Sequence, residues 1–269
     1  MKTNSLCFMI LLLLRISHHA RSERIESSDL PFIVSIWLNE KPHCSGLIYD
    51  SNHVITTASC VQGTLPDLLI VRAEGMVLPY FNETHYSVGS YVTHPSYSQT
   101  GMQGKSGSYT RDDIAVITLV KHLPLSHRLP PASFKQSRGW LISLLNRRRS
   151  YKYVGWIRPV YVSRQPLVLH GSYVTLDRHG EKKDTYYTAI LPDIYSCRRQ
   201  SLTKCQENRG TPIFAKTDSK VIAILTDLSF TRNGAILGTF LKVRKYMTWI
   251  QQTVDRNPFL TPVELDEIE

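Results

Sequence analysis

His43-Cys44-Ser45-Gly46-Leu47-Ile48 is followed, after Tyr49-Asp50-Ser51-Asn52-His53, by Val54-Ile55-Thr56-Thr57-Ala58-Ser59-Cys60. Two short runs rich in β-branched and apolar residues flank a stretch of Asp, Ser and Asn, which form turns by bonding their own backbone. The reading is strand, turn, strand. The same style recurs outward from this stretch, at Phe32 to Trp37, Leu68 to Val71 and Ile114 to Val120. It returns at Tyr151 to Ile157, Gly171 to Leu176, Tyr186 to Leu191 and Val221 to Asp227. Short strands separated by turn residues predict an all-β chain, a barrel or a sandwich. Two connections look long, Ser96 to Arg111 and Leu123 to Arg149. One helix is predicted over 242–254, because Val243, Tyr246, Met247, Ile250 and Val254 fall on one helical stripe. An acidic tail occupies 255–269.

The 269 residues are 42% hydrophobic and 20% charged, which excludes collagen-like, coiled-coil and wholly disordered chains. The first 22 residues combine a basic start at Lys2, an apolar run from Leu6 to Leu14 and small residues at Ala20 and Ser22. That is the layout of a cleaved secretory signal. The alternative, a membrane anchor, needs about 20 apolar residues, and Arg15, His18 and His19 interrupt this run. With residues 1–22 removed, the formal charge falls from +10 to about +7 and Cys7 is lost. Four cysteines remain, Cys44, Cys60, Cys197 and Cys205, an even number suited to an oxidising compartment. Asn82-Glu83-Thr84 is a glycosylation sequon, making Asn82 a candidate glycan acceptor. The expected location is extracellular, with no transmembrane segment in the mature chain.

Several segments, taken in order, resemble the trypsin-like (chymotrypsin-fold) serine protease family over roughly residues 24 to 254. Arg24-Ile25 with Pro31-Phe32-Ile33-Val34-Ser35-Ile36 resembles the activation site and first strand. His43 to Ile48 and Val54 to Cys60 resemble the strands that carry the first two cysteines, the second normally ending Ala-His-Cys. Val71-Arg72, His94-Pro95-Ser96-Tyr97 and Asp113 to Leu119 are further landmarks, the last resembling the catalytic-aspartate strand. Cys205-Gln206-Glu207-Asn208-Arg209-Gly210-Thr211-Pro212 stands where the family has Cys-x-Gly-Asp-Ser-Gly-Gly-Pro, and Lys242 to Ile250 resembles the terminal helix. The resemblance implies two antiparallel six-stranded β-barrels, about 25–130 and about 150–240, with a C-terminal helix.

Departures from the family pattern bear on function. In the family a serine attacks the carbonyl, a histidine takes its proton and an aspartate orients the histidine. By resemblance the histidine position holds Ser59, the nucleophile position holds Arg209, and only the aspartate, Asp113, remains. A hydroxyl is no base near neutral pH, and a guanidinium stays protonated. Loss of nucleophile or base costs on the order of 10⁴ to 10⁶ in turnover. Glu207 replaces the glycine of the oxyanion loop, where a carboxylate repels developing negative charge. Asn208 replaces the aspartate that pairs with the new amino terminus, so cleavage after Arg24 is not expected to order this loop. Arg24 is either a functioning cleavage site or the relic of one. In the specificity pocket, the resemblance puts Thr203 at the base and Thr226-Asp227-Leu228 on the wall. A further expectation is that Ser59 and Thr226 both donate hydrogen bonds to Asp113 in place of the lost imidazole.

The resemblance also implies a Cys44–Cys60 bridge, worth about 3 kcal/mol by chain entropy. Family partners for Cys197 and Cys205 are absent, so these two either form a substitute bridge or stay unpaired. Other signals are weaker. Gly101 to Ser106 brushes against a phosphate-binding loop but has Gln99 where glycine is required. Arg147, Arg148 and Arg149 form a basic cluster, read either as a solvated loop or as a patch for anionic glycans. No metal-ligand spacing and no cofactor motif occurs, and the basic runs lack the aromatic interleaving of nucleic-acid binders. The sequence reading is therefore a secreted serine protease homologue without catalysis, acting by protein binding or regulation on an extracellular partner, such as an active protease or its substrate. The alternatives are an active endopeptidase with a non-standard site, or a pseudo-protease that binds glycans or cell surfaces.

Overall fold

A computed structural model describes residues 23–24, 29–73, 77–78, 84–100, 109–135, 150–157, 167–177, 185–191, 208–215 and 219–256. The strands of the first half are β1 (Glu23–Arg24), β2 (Ile33–Leu38), β3 (Lys41–Ile48), β4 (His53–Thr56), β5 (Leu69–Ala73), β6 (Val77–Leu78), β7 (Thr84–Thr93), β8 (Ser98–Thr100), β9 (Tyr109–Arg111) and β10 (Ala115–Leu119). Those of the second half are β11 (Ser150–Ile157), β12 (Leu167–Thr175), β13 (Tyr186–Leu191), β14 (Pro212–Ala215), β15 (Val221–Phe230) and β16 (Ile236–Leu241).

Six strands close a barrel in the order β10-β4-β3-β2-β5-β7, every pair antiparallel. Local chemistry sets the register. Asn39 and Glu40 both take positive φ, 49° and 60°, between paired Leu38 and Lys41. That is the two-residue turn whose twist matches antiparallel strands, and asparagine tolerates its left-handed geometry. Along β5, Leu69, Val71 and Ala73 are buried while Ile70 and Arg72 are half-buried, the alternation that one inward face imposes. The second half is an open sheet of six main strands, β12-β11-β14-β15-β16-β13, with β1 and β6 added along β12. Among the described residues, its end strands are tied by the bridge of Asp177 to Thr188. The expected pair of six-stranded antiparallel barrels is thus present, one closed and one half-closed.

The barrels share packing. Phe32 of the first meets Phe214 of the second edge to face, ring centres 5.9 Å apart. Trp156 on β11 is buried in the core cluster that fills the first barrel, and its indole N–H donates to Ser45 Oγ at 2.8 Å. A buried side chain of this kind stabilises by about 1.5–3 kcal/mol. Tyr153, three residues earlier on β11, belongs to the second core with Phe240 and Ile213. One strand therefore supplies both cores, and its position is tightly determined.

Two expectations need correction. The terminal helix spans Met247–Arg256, not 242–254; Val243–Lys245 is a separate 3-10 turn. Val243 and Tyr246 are buried in both readings, so the apolar stripe does not register that the chain turns between them. The connection from Ser96 to Arg111 is also less irregular than its glycine and serine content implies, because its ends pair as β8 and β9.

Candidate functional site

Asp113 lies just before β10 and is fully buried. Helix α1 (Ala58–Val61) delivers Ser59 to it: the Ser59 N–H donates to Asp113 Oδ1 at 2.7 Å and the Ser59 hydroxyl to Oδ2 at 2.9 Å. The helix is held in place by the Cys44–Cys60 disulfide, Cα atoms 6.1 Å apart, as the resemblance implied. Thr57 Oγ1 lies 3.1 Å from the Ser59 hydroxyl oxygen. Half of the sequence expectation for Asp113 therefore holds. The other half does not: the Thr226 hydroxyl donates to the Thr239 carbonyl at 3.1 Å. The cause is a register shift between Leu225 and Asp227 where β15 pairs with β16, a bulge that re-aims Thr226.

Replacing Ser59 by alanine leaves the buried carboxylate short of one charge-assisted hydrogen bond. Ser59→Ala is expected to cost about 1.5–3 kcal/mol of stability. Denaturant unfolding checks this; a loss below about 0.5 kcal/mol would show that the hydroxyl bond contributes nothing in solution.

Arg209 is fixed through its backbone. Its carbonyl accepts the Ser45 N–H at 2.7 Å, and Gly210 follows with φ +88°. The guanidinium is half-buried and acts electrostatically on three separate elements, His43 on β3, Tyr97 before β8 and Asp227 on β15. Burial holds the His43 imidazole below its usual range; the Cys60 carbonyl, which accepts from Nε2 at 3.0 Å, opposes this, and Arg209 adds to it. Burial raises the Asp227 carboxyl above the usual range, with Arg209 and the Leu228 N–H pulling against it.

Asn208 is almost fully buried and committed to β11. Its Oδ1 accepts the Trp156 N–H at 2.7 Å, and its Nδ2 donates to the Trp156 carbonyl at 3.1 Å. Thr211, also fully buried, donates its hydroxyl to the Asn208 carbonyl at 2.6 Å. Leu228 packs against the second core. Arg24 pairs through β1 with His170. Glu207, Thr203, Cys197, Cys205, Asn82 and Arg147, Arg148 and Arg149 lie outside the described residues.

Sequence reasoning missed Asp227 as the carboxylate facing Arg209, although opposite charges at these positions were visible. It also missed Tyr186 and Tyr246, whose phenols are pushed up chiefly by burial, with the charges of Asp113 and Asp112 adding at Tyr186 and the hydrogen bond and charge of Asp112 adding at Tyr246. The Tyr246 hydroxyl donates to Asp112. Nothing in sequence pairs two residues so far apart. Among the described residues, no group of three His, Cys, Asp or Glu is arranged to hold a metal ion, and no helix is long and apolar enough to cross a membrane.

Comparison with known proteins agrees with this architecture. Trypsin alpha of Drosophila melanogaster is 30% identical over 106 residues, which is 39% of this chain and 38% of that protein. The solved structure of neuropsin, described as a serine protease expressed in the limbic system of mouse brain, matches with a TM-score of 0.64 and covers 87% of this chain and 99% of its own. Its 18% identity speaks for the fold alone. Residues 20–250 match the family described as Trypsin, a span that takes in both barrels and the start of the terminal helix, and the chain belongs to that family.

Proposed function

We propose that this is a secreted trypsin-family protein that does not cut peptides and acts instead by binding an extracellular protein, such as an active protease or its substrate. The observation that carries the reading is the double hydrogen bond from Ser59 to Asp113. A hydroxyl donating to a carboxylate occupies the aspartate that would orient a proton acceptor, and it accepts no proton itself near neutral pH. Arg209, in line with the family's nucleophile, presents a guanidinium, which donates hydrogen bonds and cannot attack a carbonyl. Among the described residues, neighbouring groups offer no replacement. The Thr211 hydroxyl is buried and donates to a backbone carbonyl, and the His43 ring bonds the Cys60 carbonyl rather than a hydroxyl or thiol. An activated nucleophile needs such a partner within hydrogen-bond reach. The Cys44–Cys60 disulfide supports an oxidising, extracellular location.

The test is labelling of the intact protein with a serine-reactive fluorophosphonate, run beside a peptide-library cleavage assay. No adduct and no turnover above solvent background are expected. A stoichiometric adduct, or turnover that survives purification from contaminating proteases, would overturn the reading in favour of an active endopeptidase. Cross-linking in the native fluid then identifies the bound protein.

A further inference from the structure

The strap between the barrels and the turn before the terminal helix enclose a half-open groove of about 620 Å³. Among the described residues, its lining combines Ala132, Phe134 and Met247 with three cationic side chains, Lys135, Arg244 and Lys245, and includes no carboxylate. Arg244 and Lys245 are exposed on the 3-10 turn, and neither forms an ion pair among the described residues. None of the lining residues belongs to the Ser59, Asp113 and Arg209 centre.

We propose that this groove binds a sulfated saccharide. The volume falls within the range of small-ligand sites, roughly 300–1,000 Å³. The half-buried Phe134 ring and its apolar neighbours form a surface suited to the C–H face of a sugar ring. The cations at its side suit the sulfate groups a sugar carries on its edge. Adjacent Arg244 and Lys245 repel each other, a cost that an anion relieves, and the formal charge of about +7 left once residues 1–22 are removed draws anions toward the chain.

An acidic peptide fits less well, because the backbone of the strap is already engaged. The Ala132 N–H donates to the Ile48 carbonyl, Lys135 N–H to Val221, and the Ser133 carbonyl accepts from Val221. These bonds leave little strand edge for a peptide to pair with. They also hold the groove wall to both barrels, so the site is formed before a ligand arrives. The residues differ from Arg147, Arg148 and Arg149, which the sequence alone singled out.

The experiment is calorimetric titration of the full chain with a sulfated heparin hexasaccharide. The double variant Arg244→Ala/Lys245→Ala is expected to bind at least about tenfold more weakly, and its log–log salt dependence to flatten by about two charges. The charge-retaining variant Arg244→Lys/Lys245→Arg is expected to bind within about threefold of the parent, which separates charge from shape. Phe134→Leu is expected to weaken the hexasaccharide but not inorganic sulfate, distinguishing sugar contact from anion capture alone. Both altered cations are exposed, and unchanged thermal unfolding verifies the fold. Three results would overturn the proposal: no binding by the parent protein, binding unaffected in the double alanine variant, or binding lost instead on changing Arg147, Arg148 and Arg149 to alanine. Equal competition by polyglutamate of matched charge would reassign the groove to acidic peptides. These outcomes leave the fluorophosphonate result untouched, so the two readings fail independently.

Discussion

Gly210→Ala is expected to destabilise the protein by about 3–5 kcal/mol, lowering the unfolding midpoint by about 10 °C for a chain of this size. Two effects add. Gly210 has φ +88°, a conformation that a Cβ penalises by about 1–2 kcal/mol. The added Cβ would also collide with the Ser45 carbonyl oxygen, which is backbone and accepts the Thr56 hydroxyl. The loop and β3 cannot both keep their places, and the bond from Ser45 N–H to the Arg209 carbonyl is the first to be strained. Gly63→Ala is the control. Gly63 has φ +77° but nothing within 4 Å of the added atom, so only the dihedral cost remains, about 1–2 kcal/mol. Thermal unfolding of both variants separates the terms. If they lose equal stability, the close approach that fixes Arg209 between the barrels does not exist.

The second large effect is at Asn208. Restoring the aspartate of the family pattern is expected to harm this chain. In Asn208→Asp, one oxygen can still accept the Trp156 N–H, but the other replaces an amide donor and faces the Trp156 carbonyl. A bond at 3.1 Å becomes a repulsion between oxygens, and a charge enters a site that is 1% exposed. A buried charge without a counter-ion costs about 3–5 kcal/mol. The pH dependence has a definite sign. Burial raises the folded-state pKa of the introduced carboxyl above its unfolded value of about 3.9. The folded state then binds more protons, so stability is kept in acid and lost as pH rises through the folded pKa. The neutral acid can donate to the Trp156 carbonyl, which explains the recovery. Urea unfolding of the variant and parent at several pH values tests this. A variant that matches the parent at neutral pH would mean that another cation reaches the site.

The strand-by-strand reading anticipated β2, β3, β4, β10, β11 and β15, where apolar and β-branched residues concentrate. It passed over β7, whose residues are largely exposed and polar, and the β8–β9 hairpin inside a glycine- and serine-rich stretch. Those strands exist because neighbours supply their hydrogen bonds, not because their own composition demands it. At the site, the resemblance to the trypsin-like motif implied the Cys44–Cys60 disulfide and the meeting of Ser59 with Asp113, both present in the structure. The direction of Thr226 depended on a bulge that composition does not reveal, and the two bonds from Asn208 to Trp156 join residues 52 apart in sequence.

The order of residues alone determined that this chain is built of short strands, and its resemblance to the trypsin-like motif is what proposes Ser59 and Arg209 for the histidine and serine positions. Strand formation follows from side-chain chemistry and local periodicity, which need no partner. Tertiary structure alone decided which of Asp113's expected donors reaches it, what Asn208 holds, and that Lys135, Arg244 and Lys245 share one groove. Each depends on register and on contacts between distant strands, and a single bulge or close backbone approach changes where a side chain points.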